Sequence, residues 1–184
     1  MSAAEPATTM DTLAIGRGAL AALHAALQTQ APEQAVSILQ ETGFASGEGV
    51  YAAFLAWLPM GAGVENPDQL DGEQLSSTLS AFFEAQGWGT VSATPLPGGA
   101  LAIDSEDWAE AQPGTSEAPM CFFSAGMLAD FLGRLTGETV AVMEVECRCK
   151  GDSRCRFLSA MPETLQKVYE AMTAGQTYEE GLSG

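Results

Sequence analysis

The sequence has 184 residues, of which 46% are hydrophobic, and this suits one domain with a sizeable core. Seven basic residues against 24 acidic ones give a formal net charge of −17. Because phosphate binding needs clustered lysine and arginine, this charge argues against nucleic acid as a partner and against docking on an anionic membrane surface.

No targeting or membrane-spanning segment is predicted. The N-terminus lacks a basic region followed by an apolar run, and the apolar stretch over residues 50–60 is too short to cross a bilayer. We therefore expect a cytoplasmic protein without membrane insertion, whose thiols stay reduced. In that compartment, four cysteines indicate metal or redox chemistry more than disulfides.

The first half of the chain is predicted to be helical. Residues 1–10 are expected to be a disordered tail, followed by a single domain over residues 11–174. Apolar periodicity predicts four helices, over residues 11–29, 32–43, 47–58 and 70–86. Gly43 is expected to end the second helix and Pro59 to end the third.

After residue 87 the pattern changes to short apolar runs separated by turns. It predicts a hairpin, a helix, a second hairpin and a last helix, over residues 88–104, 119–136, 139–158 and 162–174. Residues 104–118 are expected to be a connecting loop, and the tail from residue 175 to be loose. Strands joined as hairpins favour an antiparallel sheet covered by helices on one face, an α+β fold.

Three of the four cysteines lie within nine residues, and the fourth opens the helix before them. Cys147 and Cys155 flank the turn of the second hairpin, which brings their sulfurs together, and Cys149 lies between them. Cys121 is in the first turn of the preceding helix, where free N–H groups favour a thiolate. Thiolates bind zinc, but buried cysteine is also an ordinary small core residue, so the spacing leaves both interpretations open.

The basic residues around these cysteines also allow two interpretations. Arg148, Lys150, Arg154 and Arg156 hold four of the seven positive charges of the chain. They either balance the charge of an acidic protein or neutralise a metal–thiolate cluster or an acidic ligand nearby.

The segment from Cys121 to Phe157 resembles the 4-vinyl reductase domain family, also called the hydrocarbon-binding domain. The matching motifs are Glu144-Val-Glu-Cys147, Gly151-Asp152 and Cys155-Arg-Phe157. The family includes phenol-sensing regions of bacterial transcription activators and a bacteriochlorophyll-biosynthesis protein. Its fold is related to subunits of a vesicle-tethering complex.

The resemblance implies a structural zinc ion held by Cys121, Glu144, Cys147 and Cys155. Cys149 departs from the family pattern and is an alternative fourth ligand in place of Glu144. Residues 144 and 147 face opposite sides of an ideal strand, so a bulge or the start of the turn must bring them together. Four protein ligands leave no open position for catalysis.

The resemblance also implies an apolar ligand pocket. Its predicted lining is a set of aromatic residues that helical spacing alone would assign to the core: Phe54, Trp57, Phe82, Phe83, Trp88, Phe122, Phe123 and Phe131. No catalytic residue is predicted, because His24 is the only histidine and no glycine pattern for a nucleotide is present.

These observations predict a non-enzymatic, sensor-like domain that binds a hydrophobic small molecule and contains structural zinc. A protein partner would then transmit any signal. The alternatives are an accessory protein of tetrapyrrole or bacteriochlorophyll synthesis that binds a pigment precursor, and a dimeric scaffold. Alanine- and glycine-rich helices near residues 13–27 and 45–56 suit close packing between two subunits of a homodimer, or equally within one chain.

Overall fold

The computed structural model describes residues 15–183, so the predicted N-terminal tail lies outside the described part. Six helices and four strands follow one another within it, which confirms the α+β class. They are α1 (Arg17–Gln30), α2 (Ala35–Gly61), α3 (Gly72–Ala85), β1 (Ser92–Leu96), β2 (Ala100–Ser105), α4 (Phe122–Thr136), β3 (Ala141–Glu146), β4 (Cys155–Ala160), α5 (Pro162–Thr173) and α6 (Tyr178–Ser183).

The two predicted hairpins join into one antiparallel sheet with the strand order β1-β2-β4-β3. Apolar side chains alternate along its central strands. On β2, Ile103 faces a core shared with α2, α3 and α4, whereas Ala102 faces a second core shared with α5 and α6. Helices therefore cover both faces of the sheet. The prediction of helices on one face is wrong, because both faces of the central strands are apolar.

Helix α2 replaces two predicted helices. Gly43 was expected to end the first of them, but the helix continues from Ala35 to Gly61, with Pro59 inside its last turn. Gly43 faces α4 so closely that a Cβ atom there would overlap the carbonyl oxygen of Phe123. On α4, Gly126 approaches the carbonyl oxygen of Gln40 in the same way. These glycines serve helix packing within the chain rather than chain reversal.

The C-terminus also differs from the predicted loose tail. Residues 178–183 form α6, whose Leu182 is buried in the second core. The hydroxyl of Tyr178 accepts a hydrogen bond from Arg156 at 2.6 Å and donates one to Glu146 at 2.7 Å. Because Arg156 also forms a bidentate pair with Asp104, α6 is tied to three strands of the sheet.

No helix within residues 15–183 is both long enough and apolar enough to cross a membrane.

Candidate metal centre

The turn between β3 and β4 is held by hydrogen bonds around Cys147. The backbone N–H of Cys147 donates to the Asp152 carboxylate at 2.8 Å, and its carbonyl accepts from Lys150 at 2.9 Å and from Asp152 at 3.2 Å. Gly151 has a φ of +97°, which favours glycine, and lets the chain reverse after one 3₁₀ turn. Cys155 then begins β4 opposite Cys147.

A bulge in β3 puts Glu144 on the side of the cysteines. Glu144 pairs with Phe157 and Glu146 with Arg156, so Val145 is an extra residue in the ladder. Val145 lies in the core shared with α5 and α6, and Glu146 binds Tyr178 of α6. Strand alternation is thereby reset, and Glu144 and Cys147 share one face, as the sequence required.

The beginning of α4 supplies Cys121 and holds Glu144 in place. Cys121 is buried and directly precedes the first helical residue, Phe122. The backbone N–H groups of Met120 and Cys121 donate to Oε2 of Glu144 at 3.2 and 3.0 Å. This carboxylate therefore lies at the positive end of the helix dipole.

The four predicted ligands converge. The Sγ atom of Cys121 lies 3.9 Å from the Sγ atoms of both Cys147 and Cys155, and the four donor atoms lie within 4.8 Å of one another. A disulfide would need about 2.05 Å. With Zn–S bonds of about 2.3 Å, the edge of a zinc tetrahedron is about 3.8 Å, so the sulfur separations suit zinc.

The electrostatics of the cluster favour a cation. Burial, and then the nearby Cys147 thiolate, raise the pKa of Glu144 to about 8. The hydrogen bond between Cys121 and Cys147 lowers the pKa of Cys147 and raises that of Cys121. Oε1 of Glu144 is buried without a hydrogen-bond partner among the described residues. A metal ion would supply that partner and deprotonate the thiols, so the donor set fits zinc.

Cys149 lies outside the group of four. Its side chain is buried, and its Sγ atom accepts a hydrogen bond from the backbone N–H of Gln112 at 3.1 Å. The assignment of Glu144 rather than Cys149 as the fourth ligand stays a prediction.

The basic side chains beside the cluster are paired with carboxylates. Arg154 contacts Glu146 at 2.9 Å, Arg156 contacts Asp104 at 2.6 Å, and Lys150 contacts Asp152 at 3.3 Å. This arrangement favours charge balance across the sheet over direct neutralisation of the thiolates.

A second carboxylate, Glu110, supports the beginning of α4 and was not predicted. It accepts hydrogen bonds from the N–H groups of Phe123 and Ser124 and from the Ser124 hydroxyl. His24 Nε2 of α1 lies 2.8 Å from it, and Trp108 donates to the Ser124 hydroxyl at 2.7 Å. Glu110 thus links α1 to the helix that carries Cys121. Nothing in its acidic, aperiodic segment of sequence marks this role.

We expect Glu110→Gln to lower the free energy of unfolding by about 2 kcal/mol, because an amide nitrogen cannot accept from these buried donors. Urea unfolding of the full chain measures the loss. The matched control is Glu106→Gln, an exposed position in the same loop, which should change stability by less than about 0.5 kcal/mol. Equal stability of the two variants would contradict this role.

The predicted pocket aromatics lie mostly in the core. Phe54, Phe82, Phe83 and Phe131 are almost fully buried and contact one another, with ring centroids 5.1 to 6.3 Å apart. Trp57 contacts Phe82, and the half-buried Trp88 and Phe123 stack on each other. Phe122 is also half-buried. The role of this set in ligand binding stays a prediction.

An open groove of about 1030 Å³ lies between α3, the first hairpin and the end of α4. Its apolar lining is mostly aliphatic, and none of the eight aromatic residues belongs to it: Leu75, Leu79, Val91, Leu101, Leu132 and Leu135 are its large members. Leu79 and Leu132 also belong to the core that contains the aromatic set. The groove and the aromatic cluster are therefore adjacent.

Comparisons with known proteins match the same part of the chain. The family model of the 4-vinyl reductase domain matches residues 104–159, which contain all five candidate ligands. An uncharacterised protein of Methanocaldococcus jannaschii, MJ0745, is 28% identical over 81 residues. That alignment covers 44% of each protein, so this chain spans less than half the length of this curated relative.

Two solved structures share the fold. The phenol-responsive sensory domain of the transcription activator PoxR, solved with phenol, aligns over 80% of this chain and 75% of its own, with a TM-score of 0.58 and 20% identity. A trafficking protein particle complex subunit 3 from Naegleria fowleri, covalently bound to palmitic acid, aligns over 78% and 93%, with a TM-score of 0.55 and 14% identity. The motif resemblance is thus confirmed, and residues 104–159 form a 4-vinyl reductase domain.

Proposed function

We propose that this chain is a non-enzymatic domain that binds a hydrophobic small molecule in the groove between α3 and α4 and is braced by structural zinc. The observation that carries the proposal is the groove itself, because aliphatic side chains line a volume large enough for a small organic ligand. The fold of a phenol-responsive sensory domain supports the same function.

The polar backbone beside the groove is already satisfied. The N–H groups of Val91 and Ala93 near the edge strand β1 donate to the hydroxyls of Ser80 and Ser76 of α3, at 3.1 and 2.9 Å. A ligand therefore need not compensate these donors. Glu73, Glu84 and Thr136 provide polar groups among the lining residues, and one of them could orient a polar end of the ligand.

Zinc would fix one wall of the groove. Helix α4 carries Cys121 just before its first turn and Leu132 and Leu135 near its other end. With Cys121, Glu144, Cys147 and Cys155 as ligands, zinc would supply a structural cross-link between α4 and the second hairpin. The cross-link would hold the groove wall at a defined position relative to the sheet.

Filling the groove tests the proposal. We expect Leu75→Trp to weaken binding of phenol or of a fluorescent hydrophobic probe at least about tenfold, because the indole takes up ligand space. The readout is calorimetric or fluorescence titration of zinc-loaded protein. Leu23→Trp, at an exposed position of α1, is the matched control and should bind like the wild type.

Other outcomes redirect the proposal. Equal binding by Leu75→Trp and Leu23→Trp would contradict the groove as the site. Binding lost instead in Phe123→Ala would favour a pocket in the aromatic set. Binding of a porphyrin alone would favour the accessory protein that presents a pigment precursor.

A dimeric scaffold is the second candidate. The outer surface of α2 exposes Val36, Ile38 and Phe44, and Phe44 is 53% exposed, which is unusual for a phenylalanine on a monomer. A second copy of the chain would cover these side chains. A stable dimer by sedimentation, together with a groove that binds none of the probes, would favour this candidate over the first.

A further inference from the structure

The cluster contains one more sulfur than a tetrahedral site needs. Cys149 is 2% exposed and belongs to the same buried core as Cys121, Cys147 and Cys155. Its thiol interacts with those of Cys121 and Cys147. Four thiols and one carboxylate thus surround a space for one ion.

The two candidates for the fourth position differ in chemical hardness. Glu144 offers a carboxylate oxygen, which suits harder cations, and Cys149 offers a thiolate, which suits soft ones. Zinc is borderline and accepts either donor. A soft ion such as Cd²⁺ gains more from sulfur than from oxygen, so the identity of the ion can decide which residue binds it.

Both residues have a partner to return to when they leave the ion. Oε2 of Glu144 accepts from the N–H groups of Met120 and Cys121, at 3.2 and 3.0 Å. Sγ of Cys149 accepts from the N–H of Gln112, at 3.1 Å. Neither position leaves a buried group without a hydrogen bond, which lowers the cost of exchanging one ligand for the other.

We propose that Cys149 is an exchangeable ligand, which replaces Glu144 when the site holds a soft thiophilic cation. Zinc is then bound by three sulfurs and one oxygen, and Cd²⁺ by four sulfurs. In the exchange the Cys149 S–H proton goes to solvent, the sulfur–metal bond forms, the carboxylate–metal bond breaks and no electron is transferred. The inference rests on the proposed metal centre.

X-ray absorption of the full chain, loaded separately with Zn²⁺ and Cd²⁺, counts the sulfur and oxygen ligands. In the wild type we expect three sulfurs around zinc and four around cadmium. Cys149→Ser should keep the zinc spectrum and reduce cadmium to three sulfurs. In competition titrations its preference for cadmium over zinc should fall about tenfold. Glu144→Gln should keep four sulfurs around cadmium.

The unchanged zinc spectrum of Cys149→Ser also shows that the variant folds. Three sulfurs around cadmium in the wild type, or equal preference in the wild type and Cys149→Ser, would overturn the inference while leaving the zinc centre intact. A wild-type chain that binds neither ion would instead overturn the metal centre itself.

Discussion

Cys155→Ser should lose the metal ion and, with it, most of the stability of the domain. Cys155 is fully buried and contributes one of three converging sulfurs. Structural zinc contributes about 10–16 kcal/mol of apparent free energy in small zinc domains, which matches or exceeds the whole stability of a typical domain. We expect less than a tenth of the wild-type zinc content and no cooperative thermal transition.

Cys149→Ser is the matched control, because it changes a buried thiol of the same turn that lies outside the group of four ligands. It should retain zinc and a cooperative transition. Metal analysis and thermal unfolding followed by circular dichroism measure both variants. A Cys155→Ser protein that unfolds at the wild-type temperature would show that the metal does not hold the fold.

Gly126→Ala should destabilise the chain by about 3 kcal/mol, near the upper end for overpacked cores. A methyl group there would overlap the carbonyl oxygen of Gln40 and crowd the amide nitrogen of Phe44 at 2.8 Å. Both neighbours are backbone atoms of α2, so the helices must move apart. Because α4 also carries Cys121, the change should weaken zinc binding as well.

Gly18→Ala provides the control of opposite sign. Gly18 lies within α1, and a Cβ atom there would meet no atom within 4 Å. Alanine in an open helical position stabilises by about 0.5–1 kcal/mol relative to glycine. Urea unfolding compares the two variants. A Gly126→Ala protein as stable as Gly18→Ala would contradict the close approach of α2 and α4.

Local patterns predicted the elements that depend on nearby residues. The alternating runs around the turn at Gly151 predicted the second hairpin, and its motif spacing required the bulge that the structure shows between Glu144 and Glu146. Helix α3 was predicted because its apolar periodicity is strong and regular.

Features set by distant contacts were not predictable in this way. Gly43 resembled a helix stop, and only the approach of α4 from about 80 residues further along the chain explains why α2 continues through it. Likewise, α6 forms where Tyr178 meets Glu146 and Arg156 of the sheet. In isolation, its six residues carry too little helical signal.

The candidate site divides along the same line. Four ligand positions followed from one compact motif and the helix before it. Glu110 did not, because its partners His24 and Ser124 come from two other segments of the chain. The aliphatic groove was missed since its residues come from α3, the first hairpin and α4, whose relative placement the sequence does not reveal.

The zinc content and coordination of the purified full chain test the central claim most directly. We predict one zinc ion per chain, with X-ray absorption showing three sulfurs at about 2.3 Å and one oxygen at about 2.0–2.2 Å. A folded chain that contains no zinc and takes up none on titration would contradict the account.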